Sequence, residues 1–416
     1  MGKILVLVDD VFPYEYSEPW ILEELGFHNR FDRVFIVPMR ITPQSQLTRK
    51  VPDNVQIISE YEPSRIRMII NFILFGIPSM DFWHEIRLLR EGNRITIKRL
   101  FSIVSFMSHS EYMSRKISKY LKQCDINEAD EIIFYSYWMH ISAYTALLLH
   151  RLFPNSKFVT RCHRYDLYEE RSSLMYIPMR NTIFTNADLI FCISEEGKNY
   201  LFNNYTYDFK NKVVISHLGS RDFGIQYYSP QHEMNIISIS GISAVKRVDL
   251  IADGILLYAQ KYSNCKIRWN HFGDGELRSE VSSIIERFPT NATGILNGNI
   301  SHDDLMKKLV EMESKVFINS SSSEGVPVSI MEAFSLGIPV IATDVGGVKE
   351  IVDDHKNGLL LADDITSSEI CSALEEIMKL SDEDYQEYRV EARRTWEKNW
   401  NSDNNYRNFA DLIFDI

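Results

Sequence analysis

At 416 residues the chain is longer than one ordinary hydrophobic core supports, so two or three domains are expected. With 45% hydrophobic and 25% charged residues it has the make-up of a globular protein, neither disordered nor fibrous. A net charge of −12 with no nucleic-acid-binding motif argues against nucleic acid as a partner, and five scattered cysteines (Cys124, Cys162, Cys192, Cys265, Cys371) without a C-x-x-C pair argue against a disulfide framework and a zinc site.

In chain order, KILVLV (Lys3 to Val8) reads as a buried parallel strand, too short and too soon followed by Asp9 and Asp10 to be a secretory leader. The next loop has no G-x-G-x-x-G and no glycine at all between Asp9 and Leu25, so it is not a dinucleotide-binding turn. Further strands are expected at Arg33 to Val37, Val55 to Ile58 and Glu131 to Tyr135, with helices between them, which implies a parallel sheet. Between Tyr61 and Lys122 eleven Lys and Arg face five acids, a local +6 that leaves −18 for the remainder. This basic, aromatic-rich helical stretch fits contact with an anionic membrane surface or a lipid-diphosphate acceptor, and equally a solvated helical face. Its longest apolar run, Met68 to Ile77, is broken by Asn71 and falls short of the roughly 20 residues that cross a bilayer. The expected location is therefore cytoplasmic, peripheral at the inner face of the membrane.

The strand that begins near Lys157 runs into a loop with His163 and Asp166. A second strand ends at Ser194, a good N-cap for a helix starting at Glu195. After Val213 to Ser216 comes H-L-G-S, and the polar stretch Arg221 to Met234 marks a domain boundary. The second half opens with the strand Asn235 to Ser240 and G-I-S-A-V-K-R-V-D-L, then Ile267 to Phe272 leading to G-D-G-E, and then N-G-N-I at 297–300. Near the end, Asp382-Glu383-Asp384 after Ser381 reads as an acidic helix start instead of a metal site.

The most informative stretch is Lys315 to Val352. An apolar run breaks into four serines, then Glu324, Gly325 and Pro327, then apolar positions Val328, Met331 and Phe334 that stop at Gly337 before a second strand. Strand, loop, helix, strand is the reading, with Pro327 in the first helical turn and Gly337 as the C-terminal cap. A helix N-terminus after a flexible loop offers free N–H groups and a positive dipole end to a phosphate. Glu324 and Glu332, eight positions apart, flank that spot, and carboxylates suit sugar hydroxyls better than phosphates. Phosphates in the middle and hydroxyls at both ends describe a nucleotide sugar.

The segment E-G-V-P-V-S-I-M-E-A-F-S-L-G-I-P-V-I-A-T-D-V-G-G resembles the Glu-x7-Glu signature of retaining glycosyltransferases of the family 4 type. The T-R-C-H-R-Y-D loop, the V-K-R turn at 245–247 and the G-D-G-E turn extend that resemblance over most of the chain, towards relatives that assemble bacterial surface polysaccharides. It implies an α/β protein of GT-B fold: two Rossmann-like domains facing each other across a cleft, with the C-terminal helix crossing back. Residues 1–222 would form the acceptor-binding domain, 223–395 the nucleotide-sugar-binding domain, and 396–416 the returning helix.

The implied activity is metal-independent, hexosyltransferase-type transfer of a sugar from a nucleotide-diphosphate donor, a UDP-sugar favoured over a GDP-sugar, to a hydroxyl of a glycan or lipid-linked acceptor. No cofactor is expected. The implied catalytic residues are Glu324, His163 and Lys246. Donor binding falls to Arg247, Gly325, Val326, Pro327, Val328, Ser329, Glu332, Gly273 and Asn299, and the acceptor side to Glu18 and Asp166. In the family an arginine precedes the lysine of the diphosphate turn, whereas here Ile242 and Ser243 stand in its place and Arg247 adjoins Lys246. That departure and the glycine-free first loop favour the alternative, a catalytically silent nucleotide-sugar-binding subunit of a glycosyltransferase complex.

Overall fold

Uninterrupted aliphatic strands cannot face water on either side, so they pair in parallel at the centre of a sheet covered by helices. The computed structural model describes residues 2–14, 19–206, 208–227 and 233–416, and it sorts the strands into two such sheets. The chain divides into two units, Met1–Ser216 with Tyr406–Ile416, and His217–Asn405.

In the first unit β1 (Ile4–Asp9), β2 (Arg33–Pro38), β3 (Val55–Ile57), β4 (Ile132–Ser136), β5 (Ser156–Cys162), β6 (Leu189–Cys192) and β7 (Val213–Ile215) form a seven-stranded sheet in the order β3-β2-β1-β4-β5-β6-β7. Each neighbouring pair is parallel, and β1 is buried along its whole length. Cys162 and Cys192 sit opposite each other on β5 and β6, with sulfurs 3.4 Å apart as buried thiols. Ser194 caps the helix Glu195–Asn204 by accepting from Gly197 N at 3.0 Å, as its position in the sequence implied. The basic segment folds into the helices Arg65–Asn71, Met80–Glu91 and Ile97–Gln123, with a π-helical turn at Phe72–Gly76. The residues from Tyr406 on close this unit. Phe409 packs on Phe191 and Tyr135 at 4.9 and 5.1 Å, and the wholly buried Arg161 guanidinium lies 3.9 Å from its ring while pairing with Glu24.

In the second unit β8 (Glu233–Ile239), β9 (Lys266–Phe272), β10 (Ala292–Leu296), β11 (Val316–Asn319), β12 (Val340–Thr343) and β13 (Gly358–Leu361) make a six-stranded parallel sheet, β10-β9-β8-β11-β12-β13. The strand β10 has no counterpart among the sequence expectations. Its residues ATGIL are short, small and only half-buried, so no apolar run or alternation marks it. The division of the chain falls at 216/217, ahead of the polar stretch Arg221 to Met234 read as the boundary and of the implied break at 222/223, because His217, Leu218 and Ser220 already pack within the second unit, against Trp400, Asn405 and Trp396. The Asp382-Glu383-Asp384 run is the first turn of the helix Asp382–Asn399, whose cap is Ser381.

Candidate functional site

The ends of β8 and β11 converge on one loop cluster. After β11 the serine run turns back on the loop that follows β8: Ser320 Oγ donates to the carbonyls of Lys246 and Arg247, both at 2.9 Å, and Ser322 N donates to Val245 O at 2.8 Å. Arg247, in a left-handed conformation at φ 48°, donates from Nε to Ser320 O (2.6 Å), from Nη1 to Asp363 O (2.6 Å) and from Nη2 to Ser321 O (3.0 Å). Its guanidinium thus braces the loop. Lys246 is left to reach Glu324, Nζ to Oε1 at 2.6 Å, with Asn319 Nδ2 3.5 Å from the same oxygen. The Glu324 side chain is 8% exposed and that of Lys246 28%, so the carboxylate is buried while the ammonium keeps an open side, and their attraction is less screened than that of a surface pair.

Behind Glu324 stands the helix Val328–Ser335. Pro327 is its N-cap with ψ 121°, one position earlier than the first helical turn assigned from sequence. The Gly346-Gly347 turn lies directly against the Glu324-Gly325 backbone. Gly347 N donates to Gly325 O at 2.9 Å, and a Cβ on Gly346, at φ 56°, would stand 1.9 Å from Glu324 O. Only glycine fits there. Val326 and Pro327 are buried, while Gly325, Val328 and Ser329 are partly open at the helix start. Leu336 is the C-cap, and Gly337, at φ 70°, follows it as the left-handed residue that ends the helix, one position later than the cap assigned from sequence.

Glu332, one face further along that helix, is buried and accepts from or pairs with His302, Oε1 to Nε2 at 2.7 Å. His302 was not singled out in the sequence, because it lies thirty positions away on another helix, His302–Glu311. Gly273, at φ 128°, has its N–H on Gly298 O at 2.9 Å, and a Cβ there would stand 1.9 Å from Ser240 O. Asn299 follows in the same turn with its side chain exposed. Beneath this floor His271 is buried between Ser238 Oγ (2.8 Å) and Ser240 O (3.0 Å), and burial pushes its pKa down to about 4. Lys246, Glu324, Gly325, Glu332, Gly273 and the helix start therefore share the loop end of one sheet.

His163 and Asp166 belong to the first unit, at the end of β5. The His163 ring stacks on Tyr137 at 4.6 Å and leans on Trp138 at 4.5 Å, and the residue caps the short helix Arg164–Leu167 in a capping box with Asp166. Burial, and behind it the nearby positive charge of Arg161, holds the imidazole neutral, its pKa well below the usual histidine range. Asp166 Oδ1 accepts from His163 N at 2.6 Å and Oδ2 from Met139 N, so this carboxylate shapes the loop; burial pushes its pKa up to about 6 against those hydrogen bonds. Asp166 also lines a cavity of about 590 Å³ together with Arg40, Ser102, Ser105, His140 and Arg171. Behind the cavity wall His140 Nε2 lies 3.3 Å from Asp10. Burial works to raise the Asp10 pKa, but His140 and Arg40 outweigh it and hold the carboxyl below its ordinary value. The Asp10–His140 pair spans 130 residues of sequence and gave no local signal. Glu18, expected on the acceptor side, lies outside the described residues.

Residues 227–396 match the model of the family "Glycosyl transferases group 1". An uncharacterized glycosyltransferase of Methanocaldococcus jannaschii is 30% identical over 191 residues, which cover 42% of this chain and 46% of that protein. A putative colanic acid biosynthesis glycosyltransferase, WcaL, of Salmonella typhimurium is 22% identical over 267 residues, 62% of this chain and 64% of the relative. The chain thus spans about half the length of the first of these relatives and under two thirds of the second. Among solved structures, the Anabaena protein HepE in complex with UDP and glucose superposes with a TM-score of 0.66 at 13% identity over the whole of both chains. Residues 227–396 thus carry the match to that family's model, in a chain that has the GT-B fold.

Proposed function

We propose that the chain is a retaining glycosyltransferase that moves a sugar from a UDP-sugar to a hydroxyl of a lipid-linked glycan. The observation that carries this reading is the Lys246–Glu324 pair at 2.6 Å, held beside the start of the helix Val328–Ser335 by the serine run and the glycine turn. When a glycosidic bond to a diphosphate breaks, negative charge grows on the leaving group. An ammonium and the free N–H groups at a helix tip stabilise that charge most where the site is already organised. Lys246 supplies the ammonium in this role. Arg247 has three donors committed to carbonyls, so it serves the diphosphate by fixing Lys246.

A diphosphate competes with Glu324 for Lys246. Its arrival frees the Glu324 carboxylate to accept from sugar hydroxyls and to favour the positive charge that develops at the anomeric carbon. Glu332, oriented by His302, accepts from the ribose hydroxyls. His163, held neutral by burial, is the residue that this reading assigns to the sugar, and it adds no charge there. The phosphate released on the sugar's leaving face takes the acceptor proton, which retains the anomeric configuration without a protein nucleophile. The ligands named for HepE support a uridine donor, and the name of the Salmonella relative supports an acceptor in surface-polysaccharide assembly.

The test is a thermal-shift screen of UDP-sugars and GDP-sugars, followed by release of UDP from the stabilising donor in the presence of a lipid-linked glycan extract. Stabilisation by a UDP-sugar with turnover, lost in Glu324→Ala, is the expected result. Stabilisation without any turnover would make the chain the silent binding subunit instead.

A further inference from the structure

The basic segment of the first unit folds into a surface that the described residues of that unit leave exposed. Along the helix Arg65–Asn71 and the π-helical turn Phe72–Gly76, Ile66, Ile69, Ile70, Ile73 and Leu74 follow the i, i+3, i+4, i+7, i+8 spacing of one helical face, and each exposes between 50% and 72% of its surface. A soluble helix normally turns such a stripe inward. Here the inward contacts are made by other positions: Phe72 meets Phe82 at 5.1 Å, and Arg115 lies 3.4 Å from the Phe75 ring. The chain then bends by 90° into the helix Met80–Glu91. On that helix the exposed positions are Met80, Trp83, Arg87, Arg90 and Glu91, so the face passes from apolar to charged within three turns, with Arg87 3.9 Å from Glu91 and Arg90 adding a second cation. Trp83 Nε1 is satisfied by Ile77 O at 2.8 Å, which ties the second arm to the first while 56% of the side chain stays open.

We propose that this bent helix pair is a docking surface for an anionic lipid bilayer, which lies on the membrane without crossing it. Apolar patches of this size mark a surface made to be covered. Each arm of twelve residues is roughly 18 Å long at 1.5 Å per residue, too short for a hydrocarbon core of about 30 Å. The choice of a bilayer over a second copy follows from charge. Arg65, Arg87 and Arg90 are exposed beside the stripe in a segment of local charge +6, within a protein of −12. Two copies meeting through this face would bring like charges together, whereas anionic headgroups complement them while the isoleucines enter the acyl boundary. The surface deepens the proposed function, because it brings the first unit to a layer where a lipid-linked acceptor resides.

The full chain is floated with vesicles of phosphatidylglycerol and phosphatidylcholine, and in parallel with phosphatidylcholine alone. The wild type is expected to float with the anionic vesicles only, and to be released by high salt. The double variant Ile69→Asp/Ile73→Asp is expected to lose at least about tenfold in partitioning with an unchanged melting temperature, since both side chains are exposed. Arg65→Glu/Arg90→Glu is expected to weaken binding to anionic vesicles. A wild type that ignores anionic vesicles, floats equally with neutral ones, or forms a dimer in solution that Ile69→Asp/Ile73→Asp disperses would overturn the proposal. So would binding that resists both salt and alkaline carbonate, which would mean insertion. UDP binding in the same samples keeps the two readings apart: a protein that binds UDP but no vesicle loses only this surface, and one that binds vesicles but no UDP loses only the donor site.

Discussion

Lys246 and Glu324 meet only because residues far apart in sequence hold the loops that bear them. The serines at 320 and 322 reach back over seventy positions to the Val245–Arg247 backbone, and Arg247 returns the contact to Ser320 and Ser321. Substituting Arg247 with alanine should therefore act through Lys246: UDP affinity falls, and Arg247→Lys, which cannot reach three carbonyls at once, fails to restore it. Titration calorimetry with UDP checks both. A second residue-scale prediction concerns pH. His271 has a folded pKa of about 4 against an ordinary 6.5, so between those values the unfolded chain binds the proton and the folded one does not. Stability of the second unit should thus rise from pH 4 to pH 6.5 and fall as pH drops through that window, by up to about 3 kcal/mol. Denaturant unfolding at several pH values should show this slope, and His271→Asn should flatten it.

At the scale of elements, the strand-loop-helix-strand of Lys315 to Val352 was legible because each signal is local: an apolar run, a glycine, a proline and a helical stripe. The same holds for Ser194 and Ser381 as caps, which need only the next turn. Contacts between elements were not legible. Nothing near His302 announces Glu332, and nothing near Asp10 announces His140, since both pairs are created by sheet topology. The Gly346-Gly347 turn was read as part of a motif, but its cause is steric. Gly346→Ala puts a methyl 1.9 Å from Glu324 O at a left-handed φ, so it should cost more than about 2 kcal/mol and displace Glu324 as well. Circular dichroism melting alongside UDP binding would show both losses together, whereas an alanine at Gly224, where no atom lies within 4 Å of the added carbon, should meet only the backbone strain of its φ of 83°.

For the whole molecule, each unit has its own sheet and core, and the chain's last residues belong to the first. Phe409 seals the Arg161 guanidinium and packs on Phe191, so Phe409→Ala should destabilise the first unit by about 3–5 kcal/mol while UDP affinity, set in the second unit, holds. The uneven charge, +6 in residues 61–122 and −18 elsewhere, was visible in composition alone. Which apolar residues that segment turns outward became visible only once the bend had fixed its faces. Donor binding by the second unit depends on a nucleoside diphosphate being gripped at Lys246. Titration calorimetry of UDP against the wild type and Lys246→Ala measures this directly. Affinity at least about tenfold weaker in the variant, near 1.4 kcal/mol or more, is the expected result; equal affinity in the two proteins would mean that Lys246 does not grip the diphosphate.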